Sequence, residues 1–359
     1  MLRYGYLRSR TDLDGGRVGR VWSRQSWGWL GLCVALLLLA TTTAEARNVP
    51  GSASAVQSRI DQAVATSLID TTAMTARDAA LFDLCQNYLG HANADAKALR
   101  DPCEWGISLG GGVRYVEGSP NGFGFDFTSV FGSLAIAHKI SPNLTVVASL
   151  IAEHGNGDLD YNKGTLDNHG VGGLAGVIVK LNDTLDFSVL GGAEWLNYRT
   201  TRSGGTYRGE YDAMRYIVDA QLRGTLNSAN YFIEYGTGLR YIRQDNDAYQ
   251  EDSGGIPFAS VPGSGFTVLT GLADLKLGTK LPGITPYVQA TGYVNFLENT
   301  DFAASFGTVA PEDQTLSGRL GIGADIDFLA GRLSVVAGVF ADEDGFQGAD
   351  GGLKFSKAF

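Results

Sequence analysis

The chain has 359 residues, 44% of them hydrophobic, 10% aromatic and only 18% charged, which is too apolar and too sparsely charged for a disordered protein. Its 49 glycines are about twice the usual ~7% share, and without a G-X-Y period they exclude collagen and point to tight turns or closely packed strands. The 28 basic and 38 acidic side chains give a net charge of −10; without the six Arg and three acidic residues of the first 46 positions the count is 22 against 35, the wrong sign for a nucleic-acid partner.

The N-terminus reads as an export signal. Arg3, Arg8, Arg10, Arg17, Arg20 and Arg24 precede a short apolar run, Leu30 to Ala40, and Ala44-Glu45-Ala46 supplies the small residues for a cut after Ala46. The run is too short for a membrane helix, which needs roughly 20 apolar residues. Cleavage starts the mature chain at Arg47 and removes Cys33, leaving Cys85 and Cys103. In an oxidising compartment that pair points to a disulfide, and two cysteines with no neighbouring His are too few for a structural zinc.

Residues 47–104 read as helical. Val56, Ile60, Val64 and Leu68 recur every four residues; Thr75-Ala76-Arg77-Asp78 has a capping-box pattern and is followed by Leu81, Leu84 and Tyr88. Two short helices and a weaker third over 92–100 are expected, with a Cys85–Cys103 bridge tying the second to the point where the pattern changes.

From Trp105 onward the period is two. Leu316, Leu320, Ile322, Ala324, Ile326 and Phe328 alternate with Ser317, Arg319, Gly321, Gly323, Asp325 and Asp327. Twelve such runs follow one another, at 105–116, 123–139, 144–153, 168–181, 185–199, 213–226, 230–243, 265–280, 285–298, 314–328, 333–341 and 348–359. In the second, Phe123, Phe125 and Phe127 share one parity and Val130, Leu134 and Ile136 the other, which a bulge near Thr128 reconciles.

Breaks after the even-numbered runs are short, as at Ser141-Pro142-Asn143 and Asn182-Asp183-Thr184. The alternate ones are long: 154–167, 200–212, 244–264 and 299–313, rich in Gly, Asn, Asp and Ser. Short turns at one end and long loops at the other, with an even strand number, are the layout of an outer-membrane barrel with both termini in the periplasm. A soluble sandwich would alternate in the same way, but many runs exceed ten residues, the length a membrane strand needs, and closure removes the edges so long a sheet would otherwise expose. The fold class is therefore all-β, a 12-stranded antiparallel transmembrane barrel preceded by a short helical segment. Its surroundings are the lipid bilayer of a Gram-negative outer membrane.

The barrel segment, 105–359, resembles the translocator domain of autotransporters. Trp105-Gly106-Ile107-Ser108 stands where that family opens its first strand with a Trp. Gly124-Phe125-Asp126, Ser133-Leu134-Ala135, Leu144 to Ser149 and the loop Gly155-Asn156-Gly157-Asp158-Leu159-Asp160 follow the family's order of strand, short turn and acidic Gly-rich loop. The chain ends in Phe359 with Phe355 and Leu353 on the same parity, which in such families is the feature the barrel-assembly machinery reads; Lys357 departs from it and fits a snorkelling position. The resemblance also implies a helix ahead of the first strand threading the lumen, for which 76–89 or 92–101 are candidates. Only about 58 residues separate Arg47 from Trp105, so the large passenger of that family is missing.

Alternation places Arg114, Asp186, Glu194, Arg215, Asp219 and Arg223 inward, together with Glu234, Arg240, Asp274, Lys276, Arg319 and Asp325; Glu153, Lys180 and Asp327 share that parity. Such a lining either sets selectivity or holds a helix, or its charges simply pair with one another. No enzyme activity, metal or cofactor is expected. His154 and His169 flank an acidic loop near Glu153, Asp158, Asp160 and Asp167, a composition that usually means solvated side chains. Self-cleaving members of the family use an Asn of the lumen helix, but no motif matches around Asn87 or Asn93. Tyr207, Tyr211, Tyr249 and Phe258 suit either protein contact or a membrane girdle. Three roles stay open for what is expected to be a monomeric barrel: a structural or surface role without a passenger, display of the short N-terminal segment, or a diffusion channel for small solutes.

Overall fold

The computed structural model describes residues 53–80, 103–118, 124–160, 163–202, 204–301, 316–343 and 347–359, with the side chains of 53–59 and 298–301 excepted. One helix, α1 (Ala53–Ala79), precedes β1 (Trp105–Gly118), β2 (Phe125–Ser141), β3 (Leu144–Leu159), β4 (Gly164–Lys180), β5 (Leu185–Arg202), β6 (Tyr207–Asn227) and β7 (Tyr231–Asn246). Then come β8 (Tyr249–Ser253), β9 (Ile256–Val261), β10 (Ser264–Thr279), β11 (Ile284–Asp301), β12 (Leu316–Phe328), β13 (Gly331–Asp342) and β14 (Gln347–Ala358). No described helix is long and apolar enough to cross a membrane.

β1 to β7 and β10 to β14 pair antiparallel in chain order, and β14 pairs back onto β1, from Gly106↔Ala358 to Glu117↔Gln347. Twelve strands thus close on themselves. The seam is finished by the chain's last residue: the Phe359 amide donates to the Trp105 carbonyl at 2.9 Å and the Trp105 amide to the Phe359 carbonyl at 3.1 Å. Closure leaves no barrel edge, as hydrocarbon demands, because an unpaired backbone group there has no water to turn to.

The two faces are inverted relative to a soluble domain. Leu150, Leu320 and Ile322 stand outward at 66%, 65% and 66% exposure, while Arg215 and Glu194 inside are 0% exposed. A sandwich would bury the former and solvate the latter; a membrane barrel needs this arrangement. The C-terminal residues Leu353 and Phe359 lie on the outer face, and Phe355 meets Phe328 edge-on at 6.4 Å between ring centroids.

Three expectations change. The register of β2 is continuous through Thr128 against both neighbours, so there is no bulge there. Phe125, Phe127 and Phe131 all point inward and Val130, Leu134 and Ile136 outward: the conflict came from taking the lumen to be polar, whereas part of it is aromatic. The expected long loops 154–167 and 200–212 are largely strand, since β3 and β4 run on to pair Leu159 with Gly164 and β5 and β6 to pair Arg202 with Tyr207. Glycine and Asn in these stretches sit in strands that project beyond the membrane. The stretch 244–264 holds the β8–β9 hairpin, which pairs Ser253 with Tyr207 of β6. Finally, α1 is a single helix running through Thr75 to Asp78, where a break was expected. Thr72 and Thr75 donate their hydroxyls back to the carbonyls of Leu68 and Thr71, both at 2.7 Å, so they continue the helix rather than cap a new one. The predicted second and third helices, Cys85, Asn87, Asn93, Ala44, Ala46 and most of 299–313 lie outside the described residues.

The alternation predicts that Leu150→Arg, near the middle of β3 on the outer face, costs about 2–4 kcal/mol of folding free energy in lipid vesicles, whereas Leu150→Ile changes it little. Urea titration of the refolded barrel followed by tryptophan emission measures the difference.

Candidate functional site

The lumen is occupied by α1. Its last residue lies against the first residues of β1: a side chain at Gly106 would collide with the Ala79 carbonyl, and a Cβ at Gly110 would lie 2.5 Å from Thr75 Oγ1. Together with Ser108 these glycines form a track of small residues along β1, and the helix backbone rides in it. The helix C-terminus is therefore at the short-turn end and its N-terminal half at the loop end.

Apolar packing holds one side of the helix in three layers. At the loop end Ile60 and Val64 meet Val116, Phe125, Phe127, Leu196 and Tyr211. Leu68 and Ile69 meet Phe131, Ile151, Ile217 and Ile242 in the middle, and Ala76 and Ala79 meet Ala135, Ala137 and Leu190 below. Burying side chains of this size contributes about 1.5–3 kcal/mol each for the larger ones. The taper from aromatic to alanine sets how closely the helix approaches the wall at each level.

Polar contacts hold the rest. Asp61 accepts from Tyr198 Oη at 2.8 Å and Gln244 Nε2 at 2.9 Å. Gln244 Oε1 in turn accepts from Arg215 Nε at 3.0 Å, and Arg215 Nη1 donates to Glu194 at 2.8 Å and Glu153 at 3.1 Å. One level down, Asp70 accepts from Arg240 Nη2 at 2.7 Å and Tyr293 Oη at 2.6 Å, and Arg240 Nε also donates to Asp219 at 2.9 Å. Arg114 donates to the Ala63 carbonyl at 2.8 Å and to Ser67 Oγ, with its guanidinium 3.7 Å from the Phe340 ring centre. Near the short-turn end Arg77 reaches Asp186 at 3.0 Å and Asp78 reaches Lys354 at 2.6 Å.

The remaining inward charges link wall to wall. Arg223 pairs with Asp274 at 3.2 Å and Arg319 with Asp350, Nε to Oδ2, at 2.7 Å. Lys276 pairs with Asp325 at 3.3 Å, faces the Tyr287 ring at 3.7 Å, and stands directly across from Glu234. Lys180 and Asp327 are exposed at the short-turn end, where Lys180 meets Asp183 at 3.2 Å. Sequence reasoning missed Asp350 and Lys354, although they alternate with Leu353 and Phe355 in the last run. It also missed Asp61 and Asp70, because they precede both expected lumen helices, 76–89 and 92–101; Arg77 and Asp78 fall within the first of these, and the described helix in the lumen is 53–79. That helix contains no Asn.

The β8–β9 hairpin closes over the loop end. Tyr249 stacks on Tyr211 at 4.7 Å and Tyr211 on Tyr198 at 5.1 Å between ring centres, so these residues are internal and form neither a girdle nor a free contact surface. Phe258 remains exposed and leans on Tyr207 at 4.4 Å. Arg202 holds the buried Glu251 of the hairpin through Nε at 3.0 Å. Burial, with Glu251 beside it, pushes the Tyr249 phenol up to about 12, so Tyr249 stays neutral well into alkaline pH.

The cavities beside the helix among the described residues are small. Cavities of about 80 and 50 Å³ lie between the helix and the β10–β14 wall, meeting at Tyr293 and Arg319, with room for water but not for a sugar-sized solute. The His-acidic grouping is split by the wall: Glu153 faces inward, whereas His154 and His169 pair across strands on the outer face. No group of three metal-ligating side chains occurs among the described residues.

The autotransporter beta-domain family model matches residues 105–339. The chain belongs to this family. Among solved structures, the translocator domain of the autotransporter NalP from Neisseria meningitidis superposes with a TM-score of 0.64 at 15% identity, over 85% of this chain and 98% of that one. The beta domain of the Bordetella autotransporter BrkA gives 0.53 at 14% identity, over 71% of this chain and 100% of that one. No curated protein matches the sequence. At such identities the structural likeness shows the fold, and with the family match it makes this autotransporter-type barrel an integral outer-membrane protein.

Within the translocator barrel, Arg215 is the guanidinium on which Glu153 and Glu194 depend. Arg215→Met leaves both side chains buried without a cation, Glu153 keeping only its hydrogen bond from Asn168, and is expected to cost about 3–5 kcal/mol. A lowered temperature at which the unboiled barrel loses its compact migration on a detergent gel reports this loss; an unchanged temperature contradicts the assigned network.

Proposed function

We propose that the protein is an autotransporter-type barrel whose own N-terminal helix occupies its lumen. The helix enters from the short-turn end during assembly and stays in the lumen as a plug, with its start presented at the cell surface. One observation carries this reading: the polar residues of α1, from Asp61 to Asp78, are matched by wall residues at every level, so the lumen is built around this helix.

Cleavage after Ala46 places Arg47 at the mature N-terminus, six residues ahead of α1. The segments are then the signal 1–46, the helical plug region 47–104 and the barrel 105–359. Cys85 bridges to the buried Cys103 and ties the chain between helix and β1 to the barrel's base. The outward-facing Leu353, Phe355 and Phe359 of the closing strand serve the barrel-assembly machinery, and the finished barrel is monomeric. No catalytic role is proposed. The proposed partners are lipid and the assembly machinery, without a cofactor.

Single-channel recording separates this from a diffusion channel. Refolded mature protein is expected to show little conductance in a planar bilayer, whereas a version lacking residues 47–101 is expected to conduct with a large, stable step. Equal large conductance in both contradicts the plug and returns the channel reading. The bridge is tested by peptide mapping without reductant, which is expected to recover Cys85 and Cys103 in one linked peptide; two free thiols contradict it.

A further inference from the structure

At its loop end the helix is seated on an unbalanced set of charges. Asp61 of α1, Glu153 of β3 and Glu194 of β5 are all buried, and Arg215 of β6 is the only cation among the described residues that pairs with any of them. The other groups facing the cluster are uncharged: Asn168 of β4 donates to Glu153 at 2.7 Å, and Tyr198 of β5 and Gln244 of β7 donate to Asp61 at 2.8 and 2.9 Å. Tyr211 of β6 contributes only its ring, stacked on Tyr198. Arg114 of β1 is turned to the Ala63 carbonyl and Ser67, and Arg240 of β7 is held by Asp70 and Asp219 farther down the helix. His154 and His169 are on the outer face, across the wall.

With every carboxyl ionised the described side chains of this site would carry a net charge of about −2 out of contact with water, which costs more than taking up protons. Glu194 Oε1 has no hydrogen-bond partner among the described residues, which an ionised oxygen buried this deeply would need. At the short-turn end the contrast is plain: Arg77 with Asp186 and Asp78 with Lys354 are balanced pairs that need no proton.

We propose that α1 seats with protons held on the Asp61–Glu153–Glu194 cluster, so that the plug is proton-locked and loosens as pH rises. The seated state binds more protons than the released one, in which the carboxyls meet water and ionise normally. Seating is therefore complete at low pH and weakens as pH rises, by about ten-fold in the seated-to-released ratio per pH unit for each proton lost. The inference rests on α1 being the plug. It gives the helix a chemical trigger: exposure of the surface to alkali, or any cation able to replace the missing proton's charge, governs whether the barrel is shut.

The test is open probability in planar bilayers as pH is raised in steps from about 6 to about 9, a range over which one proton changes the seated-to-released ratio by at most about a thousand-fold and by less once the seated cluster itself ionises. The intact mature protein is expected to open progressively. The Asp61→Asn, Glu194→Gln double variant leaves one carboxylate for one guanidinium and is expected to show no such rise. A second variant guards against misfolding of the first. Thr75 and Ser133 lie with their hydroxyls 3.0 Å apart, so Thr75→Cys with Ser133→Cys locks the helix to β2 and is expected to stay shut at every pH. A flat response of the intact protein overturns the proposal, as does a double variant with the intact protein's slope or a locked variant that still opens with pH. If the version lacking residues 47–101 conducts no better than intact protein at low pH, the plug reading itself fails, a distinct result from loss of the pH response. Tyr249, with its phenol pushed up to about 12, keeps its proton across this range.

Discussion

The constraint on which the rest depends is that a sheet in hydrocarbon has no water to satisfy an open edge. It forces β14 back onto β1 and makes the terminal residue structural, since Phe359 and Trp105 exchange both of their backbone hydrogen bonds at the seam. Closure of twelve strands then creates a lumen, and a lumen of this width has to be filled either by water or by the chain itself. Here it is filled by a helix about 10–12 Å across. The sparse charge of the chain follows as well, because nearly half of each strand faces lipid.

The lumen is therefore a protein core of unusual composition. Its aromatic and aliphatic layers are those of a soluble interior, placed where α1 leans on β1 to β6. Its polar half carries two arginines, Arg215 and Arg240, that each serve two carboxylates. A buried ion pair is weak evidence for stability, because desolvation offsets most of the attraction, and what these contacts supply is position. Asp61 meets β5 and β7, Asp70 meets β7 and β11, and Arg77 meets β5 at the opposite end, each with its own partners, so neither rotation nor sliding of the helix preserves the pairing. Apolar layers hold the helix in; the charged network fixes its rotation and depth.

Much of this was legible in the sequence. Period-two alternation located all twelve barrel strands and the inward parity of the charged residues, because that pattern is imposed by the pleat and by the two environments alone. It failed at Phe125 and Phe127, where inward residues are apolar for a reason outside their strand: they pack against a helix. Loop boundaries were misjudged where strands continue past the membrane, since Gly155, Gly157 and Asn168 look like loop residues but pair in register. The site was half visible. Arg215, Glu194 and Asp219 could be placed inward, but Asp61 and Asp70 could not be matched to them, because the pairing depends on which stretch of the N-terminal segment threads the barrel. Thr75 to Asp78 reads locally as a helix start, and only burial of the threonine hydroxyls against their own helix overrides it.

The central claim is that residues 53–79 are enclosed by the barrel. Hydrogen exchange of the intact protein in lipid nanodiscs, resolved by peptide, measures it most directly. Enclosure predicts that amides of 60–79 exchange as slowly as those of β2 and β3, far beyond the protection an isolated helix of this length provides. Complete exchange of 60–79 while the strands remain protected would put the helix in water and contradict the account.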